Sequence, residues 1–285
     1  MTKKIRYLVL ILCFPFSLCA LNEPTGAGAR CKGMGGVSVA VVDFWAMQNN
    51  QALMPFYGKM AAGIYYDNRF LLKETSTATV GFVFPATQKN DYFGFSINHY
   101  GGGNFGNLQA GFAYAKSFAN VFSLGLQFDY LYNYFGDAFY GHRSGFTFEL
   151  GMYGKITPDF SLGFHLYNPA RMKMITYNGV KEYIPTLLRV GVAYKFKKKC
   201  IVGFDIEKNL ETKMQYIAGI EYTFADYFIL RGGVRLPDFS LSLGMGTQIK
   251  NMVIDFAASY HSYLGISPQI TVLYEFKTVG KKVKQ

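Results

Sequence analysis

The residues of this chain that could do chemistry fall into three sets. The first is Gly28–Met54, GARCKGMGGVSVAVVDFWAMQNNQALM, where Gly28, Gly33, Gly35 and Gly36 precede an apolar run ending on the polar pair Asn49-Asn50. Glycines ahead of a helix can present backbone N–H groups to a phosphate. A dinucleotide fingerprint, however, needs G-x-G-x-x-G between a strand and a helix. Here Gly33-Met34-Gly35 is followed by Ser38 where the third glycine belongs, and no strand pattern precedes it. These glycines are read instead as places where backbone turns tightly and approaches a wall closely. The second set is His99, His142 and His261, which invite a metal or acid–base reading. No serine or carboxylate stands at a telling spacing from them, so no catalytic, metal or cofactor site is expected. The third set is a mixture of charges whose meaning depends on the elements that carry them.

Those elements are strands. From Val121 to Tyr134, Phe122, Leu124, Leu126, Phe128, Tyr130, Tyr132 and Tyr134 share one face, and Ser123, Gly125, Gln127, Asp129 and Asn133 the other. A period of two sustained that far belongs to a strand and not to a helix. The pattern recurs in fourteen segments, near 58–68, 76–86, 91–99, 106–117, 120–134, 143–156, 159–168, 186–197, 200–209, 214–224, 227–235, 239–249, 252–262 and 267–276. Tight turns such as Ser117-Phe118-Ala119, Thr157-Pro158-Asp159, Ala225-Asp226 and Lys250-Asn251 alternate with longer links at 135–142, 169–185, 210–213 and 263–266. An even strand number with short turns on one side is the arrangement of an outer-membrane barrel.

Composition agrees. The chain is 50% hydrophobic and 18% aromatic but only 16% charged, and soluble domains carry about a quarter charged residues. The small polar residues of one face suit a barrel lumen, and the aromatics of the other suit lipid. A soluble sandwich would place its polar face outward instead. Residues 1–20 read as a secretory signal peptide: Lys3, Lys4 and Arg6, an apolar stretch from Tyr7 to Leu18, and Ala20 before the cut. Export takes three positive charges from the formal +11. The remaining basic clusters, Lys197-Lys198-Lys199 and a tail 277–285 with Lys277, Lys281, Lys282 and Lys284, are read as solvated or headgroup-facing ends, with no nucleic-acid partner. Cys31 and Cys200 remain after export, which allows a disulfide without indicating one.

The expected fold is therefore all-β: a fourteen-stranded antiparallel transmembrane β-barrel over 58–276, with an N-terminal hatch at 21–57 plugging the lumen. Gly33, Met34, Gly35, Gly36, Asn49 and Asn50 belong to that hatch, the asparagines as its polar tip. Strand parity points a mixed set of charges inward, among them Glu149, Arg189, Asp205, Glu221, Arg231, Arg235 and Asp255. Such charges tend to pair, bracing plug against wall, although some could line a path. His165 also faces inward, as a hydrogen-bonded lumen residue. Gly101, Gly102 and Gly103, ending the third strand, are a candidate lateral opening or a flexible loop.

The ends of the mature chain resemble a known family. Gly28-Ala29-Arg30, Met34 to Ala40 and Asn49-Asn50-Gln51-Ala52-Leu53 look like the N-terminal signature of FadL-like outer-membrane proteins, more closely the PorV/PorQ-like branch. Asp255 to Ser259 and onward to Phe276 is similar to that branch's closing hairpin. Where the family has Asn-Pro-Ala, this chain has Asn50-Gln51-Ala52. The resemblance implies a Gram-negative outer-membrane barrel in contact with lipid, without enzymatic activity or cofactor. In the FadL manner it would pass small hydrophobic, fatty-acid-like compounds. The alternative, in the PorV manner, is an interaction barrel with a protein partner in type IX secretion.

Overall fold

The computed structural model describes residues 26–277, apart from 87–89, 137–140, 176–180, 198 and 226. The signal peptide, the first hatch residues and the tail beyond Lys277 lie outside the described residues. The strands are β1 (Ala61–Asn68), β2 (Ser76–Pro85), β3 (Asp91–Gly102), β4 (Phe105–Phe118), β5 (Phe122–Phe135), β6 (His142–Lys155), β7 (Phe160–Tyr167) and a short pair β8 (Lys173–Ile175) and β9 (Lys181–Tyr183). They continue with β10 (Leu187–Phe196), β11 (Cys200–Asn209), β12 (Gln215–Ala225), β13 (Phe228–Leu236), β14 (Ser240–Ile249), β15 (Met252–His261) and β16 (Gly265–Glu275). Each long strand pairs antiparallel with its neighbours, β7 pairs with β10, and β1 pairs with β16 through Ala61↔Glu275 to Asp67↔Gln269. The result is a closed fourteen-stranded barrel, which leaves no backbone edge to be satisfied in lipid.

Side-chain parity follows the sequence pattern. In β5, Ser123, Gly125, Gln127, Asp129 and Asn133 are buried inward while Phe122, Leu124, Phe128 and Tyr130 are exposed outward. Outward apolar side chains recur around the wall, with Phe146 at 65% and Phe224 at 70% exposure. A continuous apolar band of this kind is a lipid-facing surface.

Three details differ from the sequence reading. The first strand begins at Ala61 rather than 58, because Met54–Tyr57 forms a helical turn closed by left-handed Gly58 at φ 70°. The 169–185 link carries structure of its own: among the described residues β8 and β9 pair antiparallel, and Met174, with Ile184, packs on inward-facing Leu131, Tyr167 and Leu187. Fully buried Asn168 ties this cap down, donating from Nδ2 to Ile184 O at 2.7 Å and accepting from Thr147 Oγ1 at 3.0 Å. Gly101 and Gly102 pair with Gly106 and Phe105 as the end of the β3–β4 ladder, and β3 is paired with β2 from Tyr92 through Tyr100.

The hatch fills the lumen. It comprises α1 (Ala29–Gly33), an extended crossing, α2 (Ala46–Asn49), a 3-10 turn (Gln51–Leu53) and α3 (Met54–Tyr57).

Candidate functional site

The wall is thinned where the hatch crosses it. Inward positions at one level carry glycine on strand after strand, and the register aligns them: Gly63↔Gly81, Gly125↔Gly151, Gly163↔Gly191, Gly203↔Gly219 and Gly219↔Gly233. A Cβ at Gly125 would stand 2.5 Å from Ala52 N, and one at Gly94 2.8 Å from Met47 Cβ. At Gly163 it would strike Val39 O, and at Gly219 and Gly233 the backbone of Met34. These glycines serve by having no side chain, so that hatch backbone lies directly on strand backbone. Sequence inspection sees small inward residues, but only the cross-strand register shows that they form a girdle.

One half of the hatch is held by charge, beside a small apolar cluster of Met34, Val37, Ala40 and Val41 on Ala193 and Ile217. From α1, Arg30 grips Glu221 with two hydrogen bonds, Nε to Oε2 at 2.7 Å and Nη2 to Oε1 at 2.8 Å, and donates from Nη1 to Val42 O at 2.7 Å. Arg231 donates to the same Glu221 at 2.7 Å and to Asp255 at 2.7 Å. Burial opposes a charged Arg30, but Glu221 and Asp43 outweigh it and hold the guanidinium protonated. Further along, the Ser38 and Val39 amides donate to Asp205 Oδ2 at 2.8 and 3.1 Å. Arg189 and Arg235 share Glu207 at 3.0 and 3.1 Å.

The other half is held by apolar packing. Phe44, Trp45, Met47, Leu53 and Met54 are buried against Tyr65, Tyr92, Ala113 and Tyr153 of β1 to β6. Phe44 meets Trp45 edge-on at 4.9 Å, and Phe56 meets Tyr153 at 4.6 Å. The asparagines are not a polar tip but internal clasps. Asn49 exchanges two 3.0 Å hydrogen bonds with the Ala27 backbone, and Asn50 Nδ2 donates to Val39 O at 2.8 Å and Met152 O at 3.1 Å. They are 1% and 0% exposed, because the hatch folds back over them. Gln51 donates to Glu149, which His165 contacts at 2.7 Å.

The hatch divides two cavities. On the longer-loop side lies an open basin of about 410 Å³ floored by Lys32, Gly35 and Gly36. On the short-turn side lies a groove of about 370 Å³ walled by Arg30, Val41, Val42, Phe56 and Tyr153. Burial pulls the Lys32 ammonium below the usual lysine range, with Asp67 partly restoring it.

The three histidines do not converge. His99 contacts Tyr134 OH at 3.1 Å, His142 packs on Tyr132, and His261 lies between Phe70 and Tyr263. Among the described residues no group of three His, Cys, Asp or Glu side chains could hold a metal. Cys31 and Cys200 are free thiols, and burial pushes the Cys31 thiol up.

No protein-family model matches the sequence, and no curated protein does. Solved structures do match. The Pseudomonas putida toluene transporter TodX aligns over 89% of this chain and 99% of that one, at 14% identity and a TM-score of 0.66. The Ralstonia pickettii toluene transporter TbuX aligns over 89% and 98%, at 17% identity and 0.63. A Pseudomonas aeruginosa FadL homologue aligns over 88% and 98%, at 13% and 0.63. In fold, this chain is a closed fourteen-stranded barrel with a lumenal hatch, similar to these three.

Proposed function

We propose that the protein is a passive conduit for small hydrophobic compounds across the outer membrane. The observation that supports this best is a lumen blocked by a hatch seated between two cavities, on a fold shared with two toluene transporters. Passage requires the hatch to shift, and its two halves differ in how readily they can. If Arg30 leaves Glu221, Arg231 still hydrogen-bonds both Glu221 and Asp255, so neither carboxylate loses every partner, although one guanidinium balances only one of their two charges. Arg30 itself borders the short-turn groove, which gives its charge a route to water. Displacing Trp45 and its neighbours would instead strip a dry apolar cluster. The moving part is therefore Gly26–Val42, and Phe44–Tyr57 is the fixed hinge side. In this conformation β3 is paired without a break, so a sideways exit at Gly101–Gly103 would require that pairing to open. The secretion-partner alternative draws no support from these neighbours.

Liposomes carrying the purified barrel should take up toluene or a fluorescent fatty acid several times faster than protein-free liposomes. Equal rates, with folded barrel confirmed by its heat-modifiable gel mobility, would refute the conduit.

A further inference from the structure

The loop-side basin has a mixed lining, in which Phe70 and Leu264 stand beside serines and charged groups. Three serines stand in register across three adjacent strands, Ser242↔Ser259↔Ser267, all bordering the basin. Ser242 and Ser267 are 3% and 6% exposed, and Ser242 Oγ bonds Ser259 Oγ at 3.0 Å. Next in line is Gln269, 4% exposed. Its Nε2 donates to Asp67 at 3.2 Å, while its Oε1 is buried and accepts no hydrogen bond among the described residues. The basin's arginines are already engaged, Arg69 with Asp67 at 3.6 Å and Arg235 with Glu207 at 3.1 Å. Lys32, in the floor, makes no ion pair among the described residues. Phe70 and His261, ring centroids 6.2 Å apart, supply an aromatic edge above the serines.

We infer that this basin is a binding site for a small hydroxylated carboxylate, of sugar-acid type. The carboxylate would sit on Lys32, which makes no ion pair among the described residues, while the basin's own acids are engaged, Asp67 by Arg69, Glu207 by Arg235 and Asp238 by Gln215. Serine hydroxyls both donate and accept, which suits a row of ligand hydroxyls: Ser267 Oγ accepts from Phe70 N at 3.0 Å and keeps its own proton to donate, and Ser259 Oγ accepts from Ser242 and can donate onward. The aromatic edge covers ligand C–H groups. The site goes beyond the conduit reading and does not depend on it.

Calorimetric titration of the full barrel in detergent separates the contributions. The probes are D-gluconate, D-glucitol (its hydroxyls without the carboxylate) and hexanoate (a carboxylate without hydroxyls). Gluconate should bind saturably, with each control weaker by about tenfold or more, the scale of one charge-assisted or several neutral hydrogen bonds. Lys32→Gln should weaken gluconate by about tenfold and leave glucitol unchanged. Ser259→Ala, on the wall and away from the hatch seat, should weaken gluconate and glucitol together. Gluconate binding no tighter than both controls, or unaffected by Lys32→Gln in a barrel of normal heat-modifiability, would overturn the site. Toluene uptake is read separately on liposomes of the parent barrel, without gluconate, which keeps failure of this site distinct from failure of the conduit.

Discussion

Between Gly26 and Val42 the hatch meets the wall through ion pairs, hydrogen bonds and a small apolar cluster of Met34, Val37, Ala40 and Val41 on Ala193 and Ile217, whereas from Phe44 to Tyr57 it meets the wall through a larger cluster of aromatic and aliphatic side chains without ion pairs among the described residues. Both halves rest on the same glycine girdle, so backbone proximity is common to them and the chemistry of attachment is not. Ionic contacts are directional and can be exchanged for water or for a second partner. The Arg231 bridge between Glu221 and Asp255 supplies such a partner in advance. Apolar contacts have no substitute in water, and losing them costs roughly 25 cal/mol for every Å² exposed. If the hatch moves as proposed, the difference would let a plug be permanent at one end and releasable at the other.

The comparison breaks most completely where the shared seat is removed. Gly233→Val would drive a side chain into the Met34–Gly35 backbone and should destabilise the barrel by more than about 4 kcal/mol or expel the charged half. Its neighbour Gly232 has nothing nearer than 3.9 Å to a new Cβ, so Gly232→Ala should stay within about 1 kcal/mol of the parent. Thermal unfolding in detergent distinguishes the two, and equal effects would refute the girdle. Trp45→Ala tests the anchored half. Its indole is 1% exposed, and its loss should cost about 3–5 kcal/mol and lower the unfolding temperature of the whole barrel.

Arg30→Met tests the releasable half and should do less. Glu221 keeps Arg231, so the cost should be about 1–3 kcal/mol. Limited proteolysis should then cut before Asp43 while leaving Phe44–Tyr57 protected. Cleavage spread evenly over both halves would erase the distinction. Smallest of all is Lys59→Ala. Lys59 bonds Glu275 at 2.7 Å but is 48% exposed, so less than about 1 kcal/mol should be lost, since exposed pairs contribute little.

Much of this was legible in the residues. Alternation in β5, sustained from Phe122 to Phe135, admits only a strand, and fourteen such runs with alternating turn lengths admit little but a closed barrel. A plug followed from the leftover N-terminal segment. The attachment of that plug was not legible, because it depends on register and on distance in sequence. Arg30 and Glu221 are separated by 191 positions, and nothing local marks them as partners. Gly125 and Gly151 look like any small inward residues until pairing sets them side by side. Asn49 and Asn50 read as a tip in the sequence because polar residues usually seek solvent, yet they are 1% and 0% exposed. Here both carboxamides replace water with backbone groups of the hatch and of β6.

The most direct test of the releasable half is a reversible lock. A Cβ at Gly203 would contact Val37 Cγ1, so cysteines at both positions are within disulfide reach. In a background of Cys31→Ala and Cys200→Ser, Val37→Cys with Gly203→Cys should block toluene uptake into liposomes at least tenfold when oxidised, and reduction should restore it. Uptake that proceeds at the parental rate with the cross-link shown intact by mass would contradict a moving hatch.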